Sequence, residues 1–140
     1  MIRISKAHRE AIVAHAERSY PHECCGFLLG TAPEEAKHVH EVRVAGNARA
    51  DSPTNRYLID PDEMFHVLRG AREGGHEILG FYHSHPDAEA RPSDYDRRHA
   101  WPWYSYVIVP VIGGDAGTPL AWVLDERERR FSEETLQVAD

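Results

Sequence analysis

Ile78-Leu79-Gly80-Phe81-Tyr82-His83-Ser84-His85-Pro86, followed by Pro92-Ser93-Asp94-Tyr95-Asp96, is the stretch around which the rest of the chain is organised. Its first half is apolar, short and free of helix caps, so it reads as a buried central strand. Side chains alternate along a strand, which places His83 and His85 on one face, roughly 7 Å apart along the backbone and able to lean onto one ion. Seven residues separate His85 from Ser93, and Asp96 follows three positions later. That spacing predicts the first turn of a helix with Ser93 as N-cap and Asp96 at N3, a rigid mount for a third, anionic ligand. Asp87, Glu89 and Asp94 are local rivals, but Pro86 and Pro92 mark the intervening segment as loop and Asp94 faces another azimuth.

Two imidazoles and one carboxylate leave the fourth position of a tetrahedral zinc open, the pattern of catalytic rather than structural sites. Hydrolysis at such a site also needs a carboxylate to move the proton of the attacking water. Glu23 is the candidate, because it stands at the entrance of Cys24-Cys25-Gly26-Phe27-Leu28-Leu29-Gly30, a second buried strand.

Outward from these two strands, Ile2 and Ile4 suggest a short first strand and Ser5 can cap a helix running to about Ser19, ended by Pro21. His38 to Val44 reads as a half-exposed strand, Gly46 to Asn55 as a polar connection, and Arg56 to Ile59 as a short strand. Asp60-Pro61-Asp62-Glu63 combines an N-cap, proline at the first helical position and Glu at N3; Met64, Val67, Leu68 and Ala71 then share one face, and Gly74-Gly75 closes the helix. Tyr104 to Val111 and Leu120 to Leu124 are expected as paired strands around a glycine-rich turn. Asp125 to Arg130 is a charged turn, and residues 132–140 are expected to form a polar C-terminal tail of low order.

A chain of 140 residues fits one domain, residues 1–131, and suffices to bury about 70% of its unfolded surface. The net charge of −7 argues against a nucleic-acid partner, which calls for a basic stripe. No apolar run reaches membrane-span length, and Met1 to Ser5 lacks a signal peptide's hydrophobic segment, so a cytoplasmic protein without membrane contact is expected. The two cysteines, Cys24 and Cys25, are adjacent and cannot staple distant segments; they read as small buried hydrophobes rather than nucleophiles. Trp101, Trp103, Tyr104 and Tyr106 read as core and cleft-rim packing, and an aromatic rim could hold an extended tail. The other eight histidines read as surface residues.

Glu23, His83-Ser84-His85 and Ser93-Asp94-Tyr95-Asp96 together resemble the signature of the JAMM/MPN+ (Mov34/JAB-type) metalloproteases. Pro21 to Gly30 and Ala100 to Tyr106 resemble the short bacterial members in particular, among them the peptidase that releases cysteine from a ubiquitin-like sulfur carrier. The resemblance implies an α/β (α+β) domain with a mixed sheet flanked by helices, similar to the cytidine-deaminase fold. It implies one zinc per chain on His83, His85 and Asp96, with Glu23 as general acid/base and Ser93 as oxyanion donor. It also implies a ubiquitin-like (ThiS/MoaD-like) sulfur-carrier protein as substrate, cut after its C-terminal tail. An isopeptidase acting on lysine-linked conjugates is the alternative, and a non-catalytic scaffold ranks last because the ligand set is whole. Trp103, where relatives often carry glycine, and Arg91, where many carry an aromatic, depart from the pattern beside the motif and bear on substrate preference. A nucleoside deaminase is disfavoured because its His-x-Glu and Pro-Cys-x-x-Cys motifs are missing.

Overall fold

In chain order the elements of the computed structural model are β1 (Ile2–Ser5), α1 (Lys6–Ser19), β2 (Cys25–Thr31), a 3-10 turn (Pro33–Glu35), β3 (Lys37–Ala45), α2 (Pro61–Glu73), β4 (Glu77–Pro86), α3 (Asp94–His99), β5 (Ser105–Ile112), β6 (Asp115–Ala116), β7 (Leu120–Leu124), β8 (Phe131–Glu134) and β9 (Leu136–Ala139). The structure describes residues 1–46 and 59–139. Arg56 to Leu58 of the expected strand and most of the polar connection before it lie outside the described residues, and Ile59 itself is not in a strand.

The strands form one mixed sheet in the order β8-β7-β5-β4-β2-β3-β1-β9, with β6 paired to β5. β4 and β5 run parallel with Gly80 opposite Ser105, and β2 runs antiparallel to β4 with Cys25 opposite His83. The stretch read as the central strand is therefore flanked on both sides, as its unbroken apolar character requires. β7 pairs antiparallel with β5, as expected.

Helix α1 starts where Ser5 accepts a hydrogen bond from the His8 N–H, and buries Ile12 and Ala16, one turn apart, against one face of the sheet. That face is built from Leu28, Tyr82, Val107, Val109 and Val111. Helix α2 starts at Asp60, whose carboxylate accepts from the Asp62 N–H, and buries Val67 and Ala71 against Phe27, Leu29, Phe81 and Tyr106 on the other face. Each fully buried Leu or Phe contributes about 1.5–3 kcal/mol. Glu63, expected to close a capping box on Asp60, instead accepts from the Gly46 N–H and ties α2 to the end of β3.

The expectation of a polar tail fails for residues 132–139. Phe131 to Glu134 pairs with β7 and Leu136 to Ala139 pairs in parallel with β1, so one chain segment joins the two ends of the sheet across Thr135. A strand joined at an edge needs its backbone groups more than it needs apolar side chains, which is why its polarity misleads. The curled sheet brings Lys37 of β3 beneath β5. Its ammonium donates to Ser105 Oγ at 2.8 Å and to the Trp103 carbonyl, and lies 4.5 Å from the Trp103 ring centroid. Trp103 has φ 77°, a left-handed conformation that glycine adopts without strain.

Candidate metal centre and active site

The alternation along β4 sorts its side chains by face. Phe81, His83 and His85 share the α2 face, while Tyr82 and Ser84 share the α1 face. His83 is 1% exposed and His85 8%. Across the antiparallel pair, the Ser84 N–H donates to the Cys24 carbonyl and the Ser84 hydroxyl accepts from the Cys24 N–H. This two-bond clamp sets the entrance of β2, and it turns the neighbouring Glu23 inward, where it is 5% exposed.

Asp96 arrives from α3. Ser93 Oγ accepts from the Asp96 N–H at 3.1 Å and the Ser93 N–H donates to Asp96 Oδ2 at 2.8 Å, a complete capping box. The same Oδ2 lies 3.3 Å from His83 Nε2 and 3.1 Å from His85 Nε2, and the two nitrogens are 3.2 Å apart. Tetrahedral ligands at zinc distances of about 2.0–2.1 Å sit roughly 3.3 Å from one another. The three donor atoms therefore already hold the spacing a small divalent ion requires. His85 Nδ1 donates to the Glu89 carbonyl at 2.8 Å, which fixes the ring with Nε2 directed at Asp96.

A second grouping joins Glu23 to the same two imidazoles, with all ligand atoms within 4.8 Å of one another. Asp96 sits in hydrogen-bond contact with both rings, and Glu23, just before β2, faces the same two imidazoles from the neighbouring strand's entrance.

The electrostatics separate the two carboxylates. Burial pushes the Glu23 carboxyl up to about 8; His85 opposes the shift and Asp96 adds to it. Burial would also raise Asp96, but the His83 and His85 rings and the Ser93 N–H overcome it and hold that carboxylate well below its usual range. His83, the more deeply buried ring, is lowered by desolvation despite Asp96, whereas at His85 Asp96 and the Glu89 carbonyl outweigh burial and raise it. Burial raises both thiols, keeping Cys24 and Cys25 protonated, which suits buried hydrophobes and not nucleophiles.

The rival carboxylates point elsewhere. Asp87 accepts from Tyr20 Oη and the Gly113 N–H, Glu89 pairs with Arg91, and Asp94 pairs with Arg97. Two supporting groups escape a reading of the sequence: the Glu89 carbonyl, and Trp122, whose indole N–H donates to the Ala90 carbonyl next to it at 2.9 Å. Neither carries a signal, since a backbone carbonyl is present at every residue and Trp122 lies far along the chain. His15, expected at the surface, is half-buried with Nδ1 2.6 Å from Tyr82 Oη.

Beside Asp96 opens a cavity of about 540 Å³ between the start of α2, α3 and the β4–β5 floor. Among the described residues no helix is long and apolar enough to cross a membrane.

The family model described as prokaryotic homologues of the JAB domain matches residues 5–125. A desampylase from Haloferax volcanii is 36% identical over 123 residues, covering 84% of this chain and 85% of the relative. The CysO-cysteine peptidase of Mycobacterium bovis is 38% identical over 100 residues, 71% of this chain and 66% of that one. A solution structure of a protein from Desulfitobacterium hafniense superposes with a TM-score of 0.87 at 30% identity, covering all of this chain and 94% of the other.

Proposed function

The chain belongs to the prokaryotic homologues of the JAB domain and is a hydrolase of peptide or isopeptide bonds; on that premise we propose that it is a zinc metallopeptidase trimming the C-terminal tail of a ubiquitin-like sulfur-carrier protein. The observation that carries the reading is the triangle of His83 Nε2, His85 Nε2 and Asp96 Oδ2, 3.1–3.3 Å on each side, with the buried Glu23 carboxyl facing it. Zinc held by these three residues would supply a Lewis acid for the scissile carbonyl and a water of lowered pKa.

The chain's own groups do the rest. Glu23 takes the proton as water adds to the carbonyl carbon, and returns it to the amine as the C–N bond breaks. Ser93 Oγ accepts from the Asp96 N–H, which leaves its own hydrogen to donate to the developing oxyanion. The outer side of β3 from Val39 to Ala45 has no strand partner among the described residues, a backbone edge on which an extended tail can add hydrogen bonds.

Glu23→Gln is expected to abolish turnover while keeping one zinc per chain, and His85→Ala to lose both, by elemental analysis beside cleavage of a Gly-Gly-ended carrier with a C-terminal extension. Turnover undiminished in Glu23→Gln refutes the mechanism. The named desampylase relative favours a second reading, isopeptidase action on lysine-linked conjugates. Comparing linear and lysine-linked substrates decides between them, and a strong preference for the lysine linkage reverses the order.

A further inference from the structure

The cavity beside Asp96 has a chemistry that the hydrolytic site does not use. Its walls are Ile59, Met64, Phe81 and Trp101, and the indole of Trp101 is 64% exposed at the rim. Its polar lining besides Asp96 is Tyr95, His99, Tyr106, Arg98 and Arg129; Tyr95 and His99 are stacked ring on ring, and His99 Nδ1 is engaged by the Tyr95 carbonyl, which leaves Tyr106, Arg98 and Arg129 as the donors that set its character. Tyr106 is 5% exposed; its oxygen accepts from the Trp101 N–H at 2.8 Å, and its own O–H has no acceptor among the described residues. Arg129 is held by the end of α3, donating to the carbonyls of Arg97 and Ala100, which occupies part of its five-donor fork and fixes the remainder. Arg98 makes no ion pair among the described residues, whereas its neighbour Arg97 is paired with Asp94.

Apolar walls with three donors, two of them cationic, suit an apolar residue that carries an anion. The one carboxylate lining the cavity, Asp96, is already engaged by Ser93 and both histidines. Because Asp96 also belongs to the hydrolytic site, whatever fills the cavity lies within a residue or two of the scissile bond. The acyl side of that bond carries no free carboxylate and leads back to a folded carrier. A linear extension ends in one, and a lysine-linked leaving group brings none.

We propose that this cavity is the leaving-side subsite, and that Tyr106, Arg98 and Arg129 bind the terminal α-carboxylate of an apolar residue released from the carrier. The assignment rests on the hydrolytic reading above and makes the enzyme a trimmer of free C-termini in preference to an isopeptidase.

The test uses one carrier ending in Gly-Gly-Leu, prepared with a free carboxylate or a carboxamide, and the same carrier joined to a lysine side chain. A charge-assisted hydrogen bond predicts that wild type cleaves the acid with kcat/KM about tenfold or more above the amide, expressed chiefly in KM. In Arg98→Ala and in Tyr106→Phe that ratio shrinks, and in the double variant, which keeps Arg129, it shrinks further. A readout without turnover accompanies it: acetyl-leucine, but not its amide, shifts the Tyr106 and Arg98 NMR signals of the metal-free protein, and Arg98→Ala weakens the shift. Equal cleavage of acid and amide, or a preference for the lysine-linked form, overturns the subsite and leaves the hydrolase standing. Failure to cleave any of the three removes the hydrolytic reading and the subsite with it.

Discussion

His85 Nδ1 lies 2.8 Å from the carbonyl oxygen of Glu89, a backbone atom that only accepts, so Nδ1 carries a proton and the ring is held with Nε2 facing Asp96. The orientation of the His85 ring thus depends on a loop, and the loop is held from the far side by the Trp122 indole on the Ala90 carbonyl.

Trp122→Phe keeps the ring's packing and removes that donor. Zinc affinity, measured by chelator competition, is expected to fall about tenfold, the lower end for loss of a group supporting a ligand. Stability of the metal-free protein should change by only about 1 kcal/mol. Unchanged affinity would mean that the loop is held without the indole.

Ser93 has two jobs that a pair of variants separates. Ser93→Ala costs about 1 kcal/mol of stability through the lost cap, while Ser93→Gly costs a few tenths. If the hydroxyl donates to the oxyanion, kcat drops about 10²–10³-fold in both. A normal kcat in Ser93→Gly would reduce Ser93 to a cap.

Gly80 packs against its neighbour strand so closely that an added Cβ would stand 1.9 Å from the Ser105 carbonyl oxygen. Backbone cannot step aside cheaply, so Gly80→Ala is expected to cost upwards of about 3 kcal/mol in chemical denaturation. Gly70, inside α2, is the contrast: its Cβ would meet only Arg43 Nη1 at 3.9 Å. Gly70→Ala should stabilise by up to about 1 kcal/mol.

Burial lowers the Lys37 pKa from its usual 10.5, with Glu134 opposing the shift. Between the depressed folded value and 10.5 the unfolded chain binds more protons than the folded one, so this residue's contribution to stability grows as pH rises through that window. Urea unfolding of wild type and Lys37→Met, compared from pH 7 to 10.5, should show the difference moving in favour of wild type. A pH-independent difference would place the lysine in solvent.

Most of the elements can be read from the chain because their signals are local: Ser5, Asp60 and Ser93 start helices by satisfying N–H groups within three residues, and Gly74 ends one. The short spacing of His83, His85 and Asp96 is local too, since strand alternation and the first helical turn set their directions. The β8–β9 segment reads as tail because edge pairing is decided by backbone groups identical in every residue. Glu63 reads as a capping partner because nothing in its neighbourhood announces Gly46.

By itself the sequence determined that His83 and His85 share one face of a buried strand and that Asp96 stands at N3 of the helix that Ser93 caps. The tertiary structure alone decided that Glu23 turns inward through the Ser84 clamp, that Glu89 and Trp122 orient His85, and that Tyr106, Arg98 and Arg129 border one cavity. The physical reason is range: caps and alternation act over a few residues, whereas burial, desolvation and the convergence of donors depend on segments brought together only when the sheet curls.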